Sequence, residues 1–205
     1  MIKNYLPNNY ILEKIIYILI IILPLTLVSG PFLSDTSISS IAIIFLYLSI
    51  KNKYFIYYKN IFSKIFFIFY IILIFSSIFS IDPIISFKKS IPFIRFWIFT
   101  LAVWHIFKKY KNLPKYLILS FVFVFIILII DGYIQFFFKE NIFGWPMDNA
   151  RISSLFKDEY ILGSYLSRML PIFFGLLIFT KFDNKLIMYI LFLFIFVGVE
   201  TIIFL

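Results

Sequence analysis

Four ionisable side chains interrupt the apolar runs of this 205-residue chain: Arg95, Asp131, Arg168 and Glu200. Two are cations and two are anions. A third arginine, Arg151, opens the segment that leads to Arg168, ARISSLFKDEYILGSYLSRMLP (residues 150–171). Arginine carries a planar fork that donates two parallel hydrogen bonds, a geometry suited to phosphate. The chemistry these residues suggest is recognition of an anionic group on a lipid-linked substrate. Arg95, Arg151 and Arg168 would be the contacts, with Asp131 and Glu200 supporting them. A plainer reading stands beside it. Arg95 and Glu200 are also placed to snorkel toward an interface, and Arg168 to form a buried pair with Asp131 that only joins two helices.

The neighbours of Arg168 fit either reading. Gly163 and Ser167 are four apart, a small-xxx-small spacing that favours close helix approach. Pro171 cannot donate a backbone hydrogen bond and is expected to kink the helix or free a carbonyl. Asp158 and Glu159 precede the apolar run, where a helix dipole favours negative charge. They do not form a paired acid–base dyad, because adjacent helical residues point about 100° apart. The single histidine, His105, is expected at the interface beside Trp104 and Lys108. No Gly-rich phosphate loop and no metal-ligand spacing occurs in the sequence, so neither a cofactor nor a metal is expected.

The elements that must position these residues are membrane helices. Hydrophobic residues make up 63% of the chain and mean hydropathy is +1.04, against about 45–50% apolar residues in a soluble domain. The chain has no cysteine, which excludes disulfides and thiolate zinc sites. The net charge of +9 does not point to nucleic acid, because the lysines stand in short segments between apolar runs, as the positive-inside rule expects. Lysine outnumbers arginine 16 to 3. That bias fits an AT-rich genome and makes the arginines the more informative cations.

The apolar runs cover about residues 15–33, 36–50, 61–81, 91–107, 116–138, 160–179 and 186–205. They predict an all-α bundle of seven helices in one transmembrane domain, residues 1–205. The second run is short for a span of about 20 residues. The first is too long for a signal region and lacks a small-residue cleavage site. With the N-terminus in the cytoplasm, the cytoplasmic segments hold 12 lysines and the outer ones 5 lysines and arginines. Segments 82–90 and 139–159 then face outward. On that topology Arg95, Asp131, Arg168 and Glu200 all lie roughly 6–12 Å below the outer surface, at about 1.5 Å per residue. One polar cavity opening outward is the expectation. The last run reaches Leu205 with no polar tail, which points to the N-terminal part of a longer chain.

One pattern resembles a known family. Asp131-Gly-x-x-Gln135, Asn141-Ile-x-Gly144, Arg151-Ile-Ser153, Phe156-x-Asp158-Glu159-x-x-x-Gly163-Ser-Tyr165-Leu166 and Pro171 resemble the O-antigen ligase and polymerase family over residues 131–171. The family often carries glycine where Ser154 and Lys157 stand here. The resemblance implies a polytopic enzyme of the bacterial inner membrane, in polysaccharide or lipopolysaccharide biosynthesis. It implies transfer of glycan from an undecaprenyl-diphosphate carrier to lipid A-core or a growing glycan, with no metal or nucleotide sugar. Periplasmic arginines would hold the diphosphate, a role open to Arg151 and Arg168. The base that activates the acceptor belongs to a later loop, so this chain alone is expected to be inactive. Two other classes compete: a transporter or flippase of lipid-linked sugars, and a non-catalytic assembly protein or truncated product. A transport path needs polar residues through the inner half of the membrane, where the apolar runs have almost none.

Overall fold

The structure, a computed structural model, describes residues 7–147, 151–156, 161–180, 182 and 185–204. Its elements are helices: α1 (Pro7–Val28), α2 (Pro31–Asn52), α3 (Ile61–Ile78), α4 (Pro83–Ser90), α5 (Ile94–Lys109), α6 (Leu113–Phe138), α7 (Leu162–Phe179) and α8 (Lys185–Phe204). No strand occurs among the described residues, where backbone pairing is limited to isolated bridges such as Glu140–Pro146. Six helical stretches among those residues are long and apolar enough to cross a bilayer, with α4 and α5 counted together. The protein is an all-α, multi-pass membrane bundle.

Seven of these helices fall on the seven apolar runs, but their ends differ where polar residues continue a helix. Helix α1 begins at Pro7 and so includes Asn9 and Glu13. Helix α2 begins at Pro31 and includes Ser34 and Asp35, which lengthens a short apolar run to 22 residues. A helix satisfies its own backbone whatever its side chains are, and these polar side chains find partners of their own. Helix α4 is an element where a loop was expected. Its start has a local cause: the Asp82 carboxylate accepts from Ile85 N at 3.1 Å, and Pro83 occupies the first turn. Both are helix-start features. Helix α3 starts the same way, with Asn60 accepting from Ser63 N at 2.7 Å.

The helices gather into two compact units, where the sequence reads as one transmembrane domain. Unit 1 comprises Met1–Ile20 and Asp35–Lys111, and unit 2 comprises Ile21–Ser34 and Asn112–Leu205. In unit 1, Trp97 donates from its indole to Ser63 Oγ at 3.0 Å and stacks on Phe66, which joins α5 to α3. In unit 2, Phe125 of α6 meets Phe173 of α7 edge to face at 5.4 Å. Tyr165 of α7 donates to Pro24 O of α1 at 3.0 Å. Lipid tails are as apolar as leucine, so such contacts act through close packing and hydrogen bonding rather than through release of water.

Gly198 of α8 packs tightly against α6 in unit 2. A β-carbon there would meet Ile129 of α6 at 3.0 Å. Ser167 is exposed and returns its hydroxyl to Ser164 O, while α7 packs through Leu162, Tyr165, Leu166 and Phe173. Helix α7 also runs on past Pro171, which with Leu170 borders an apolar groove closed by Phe192 and Phe196 of α8.

Candidate functional site

Asp131 and Gln135 are one turn apart on α6 and therefore share a face. Both are fully buried, with 0% of their surface exposed. Three residues after Gln135 the helix ends, and Lys139 takes a left-handed conformation at φ 66°. That conformation is uncommon outside glycine and common at helix ends. It turns the chain back over the helix it has just left.

The returning loop is held by side chains rather than by a strand ladder. Asn141 Oδ1 accepts from Phe143 N at 3.0 Å and from Trp145 N at 2.8 Å, closing a tight turn on itself. Gly144 completes that turn at φ 76°, in the region where glycine is at no disadvantage. Asn141 Nδ2 then reaches across to Ser154 O at 3.1 Å. Met147 N donates to Lys139 O at 2.7 Å.

The two α6 side chains clamp both strands of this loop. Gln135 Oε1 accepts from Ser153 N at 3.0 Å and from Ser154 N at 2.7 Å, while its Nε2 donates to Ser153 Oγ at 3.2 Å and Pro146 O at 3.4 Å. Asp131 Oδ1 accepts from Ile142 N at 3.0 Å, and Oδ2 accepts from the Ser154 hydroxyl at 2.7 Å. A buried carboxylate is tolerated when such charge-assisted bonds replace water. Ser154 itself has φ 49°, a left-handed backbone at the position where the resembling family often has glycine. Phe156, the end of this segment, sets its ring 5.4 Å from that of Tyr165 on α7.

The residues quoted for the resemblance thus meet in one place. Asp131, Gln135, Asn141, Ser153 and Phe156 are buried together, with exposed Gly144 in the turn above them, and they hold residues 139–147 and 151–156 against the end of α6. Arg151 is exposed on this loop, and Arg168 is exposed on α7 of the same unit. Lys157, Asp158 and Glu159 lie outside the described residues.

Two expectations change. Asp131 does not pair with Arg168: its oxygens are taken by Ile142 N and Ser154 Oγ, and among the described residues no carboxylate lies within ion-pair distance of Arg168. Arg95 does not snorkel alone. Its Nη2 sits 2.9 Å from Asp35 Oδ2 and its Nη1 donates to Ser39 Oγ at 3.3 Å, joining α5 to α2 within unit 1. Asp131, Arg168 and half-buried Glu200 belong to unit 2.

His105 is a further correction. It is buried, ringed by Phe45, Tyr54 and Tyr57. Its Nε2 lies 3.3 Å from Glu13 Oε1, while Lys109 bonds the other Glu13 oxygen and the Tyr54 hydroxyl donates to Oε1 at 3.4 Å. Glu13 is fully buried. The signal was present in the sequence: His105 and Lys109 are one turn apart on one face, and Glu13 sits just outside an apolar run. Starting that run at residue 15 hid the acid, as starting the next at 36 hid Asp35.

Compared with protein families, with curated proteins and with solved structures, the chain finds no match. The resemblance to the ligase and polymerase family therefore rests on the quoted residues themselves.

Proposed function

We propose that this chain is part of a membrane glycan ligase or polymerase that takes glycan from an undecaprenyl-diphosphate carrier at the outer face of the bacterial inner membrane. One observation carries the reading: within residues 131–171, which bear the resemblance, five buried polar side chains hold residues 139–147 and 151–156 against α6. The loop carries Arg151, and α7 beside it carries Arg168. A loop fixed by a fully satisfied network is a preorganised mount for a cation. Cations so held recognise a diphosphate at low entropic cost. The acceptor in this reading is lipid A-core or a growing glycan, and its activating base comes from residues other than those named here.

The test is binding rather than turnover. Purified protein in neutral detergent is titrated with undecaprenyl diphosphate, undecaprenyl monophosphate and undecaprenol. The reading expects the diphosphate to bind most tightly and the alcohol least. Equal affinity for all three would mean that only the polyprenyl chain is recognised and would remove the basis for the carrier assignment.

A further inference from the structure

A second polar feature lies in unit 1. Helices α3 and α4 border an open cavity of about 520 Å³ lined by Ser76, Ser77, Ser80, Ser86, Ser90 and Lys89, with Phe69, Ile72, Leu73 and Phe93 as its apolar wall. Ser86 and Ser90 are one turn apart, so both face α3. Part of this hydroxyl set is committed internally: Ser77 and Ser90 lie 3.0 Å apart, Ser90 donates to Ser86 O at 3.0 Å, and Ser86 donates to Ser80 Oγ at 2.7 Å. Neither Ser76 nor Ser80 donates its hydroxyl proton to an acceptor among the described residues, and both line the same cavity as Lys89. The lining therefore offers hydrogen-bond donors and a positive charge, and it contains no carboxylate.

The setting is that of a bilayer interface. Helix α4 is short and amphipathic, with Ile84 and Ile85 exposed on one side and Lys88 and Lys89 in its last turn. Ile84 and Lys88, like Ile85 and Lys89, are one turn apart and share a side, and a lysine placed over apolar surface in this way keeps its ammonium at the level of the headgroups. From the cavity, the exposed face of α3 continues through Ile72, Ile68 and Ile65, an apolar track suited to an acyl chain. We propose that this cavity is a binding site for an anionic phospholipid. The phosphate sits against Lys89, Ser76 and Ser80, and the acyl chain lies along α3. Charge complementarity selects the headgroup, and the continuous apolar face of α3 selects a lipid over a free anion.

The test is native mass spectrometry of the purified protein in neutral detergent, reading the affinity of the one-to-one adduct with phosphatidylglycerol and with phosphatidylcholine of the same chains. Phosphatidylglycerol is expected to bind more tightly. Lys89→Gln is expected to weaken it about fivefold, the loss anticipated for one cation at a membrane surface. Ser76→Ala with Ser80→Ala should weaken it further. Lys88→Gln is the control, because Lys88 stands on the same turn outside the cavity lining. Equal losses at Lys88 and Lys89 would show general surface charge and overturn the site. So would equal affinity for the two lipids. A thermal-shift titration with inorganic phosphate separates the remaining case: stabilisation matching that by phosphatidylglycerol, and lost in Lys89→Gln, would replace the lipid with a free anion. All these side chains except Ser77 and Ser90 are exposed or half-exposed, so the tested variants retain the packed residues of the fold.

Discussion

The Ser154 hydroxyl donates to Asp131 Oδ2 at 2.7 Å, bridging 23 positions of sequence between the last third of a membrane helix and the loop that follows it. This bond, with Ile142 N on the other oxygen, explains why an acid stands inside an apolar helix. It also answers what balances the charge: two donors from the loop, not the arginine of α7.

Asp131→Ala should therefore lower thermal stability by leaving Ile142 N and Ser154 Oγ without their acceptor, a loss of about 1–3 kcal/mol for each buried polar group stranded. Combining it with Arg168→Ala should add the separate effects with no interaction beyond about 0.5 kcal/mol. Melting curves of the two single variants and the double variant in detergent give the answer. Rescue in the double variant would restore the direct Asp131–Arg168 pair.

Ser154 combines a left-handed backbone with a hydrogen bond from its side chain. Ser154→Gly relieves the first and loses the second, whereas Ser154→Ala keeps the strained backbone and still loses the bond. Alanine should thus be the more destabilising substitution, by about 1 kcal/mol. The ordering of melting temperatures, wild type above or near glycine and alanine lowest, is the measurement.

Arg168 is exposed and makes no ion pair with a described carboxylate, so Arg168→Ala should leave the melting temperature nearly unchanged, within about 0.5 kcal/mol. On the carrier-binding reading it should still weaken undecaprenyl diphosphate about tenfold, the loss of one charge-assisted contact. Arg168→Lys should recover only part of that, because the ammonium lacks the fork. A variant that melts early and binds normally would make Arg168 a packing residue.

The cluster around Glu13 should behave asymmetrically. Glu13 is fully buried with three partners, while the Lys109 side chain is 26% exposed. Glu13→Ala removes the carboxylate oxygen that His105 and the Tyr54 hydroxyl share and should cost on the order of 3 kcal/mol. Lys109→Ala should cost less, since His105 and Tyr54 still hold the carboxylate. Thermal melts of both variants check the order.

Orientation can be read chemically because the chain has no cysteine. Glu140→Cys and Asn112→Cys each place one exposed thiol at the opposite ends of α6. In intact spheroplasts an impermeant maleimide should label the first and spare the second. The reverse pattern would invert the topology drawn from loop lysines.

Much of this architecture was legible along the chain. Each of the seven apolar runs became a helix, six of them in stretches long and apolar enough to cross a bilayer among the described residues, because a bilayer demands long uninterrupted apolar segments and little else satisfies the backbone there. Asp82-Pro83 carried a helix start that hydropathy alone passed over, since α4 is amphipathic rather than apolar. The resemblance singled out Asp131, Gln135, Asn141 and Ser153 as a set, without a role for Gln135. Its role as a clamp depends on residues 18 and 19 positions away, and no local pattern records such a distance.

The amino-acid sequence by itself determined the class of the protein, the order of its seven long apolar helices, and several of the polar residues that had to be accounted for among them. Those follow from composition and period, which act locally. Only the tertiary structure decided who partners whom. It gave Asp131 to Ser154 and Ile142, Arg95 to Asp35, and Glu13 to His105 and Lys109. A buried charge takes whichever donor or counter-charge the fold brings within about 3 Å, and that choice is made by the packing of helices far apart in the chain.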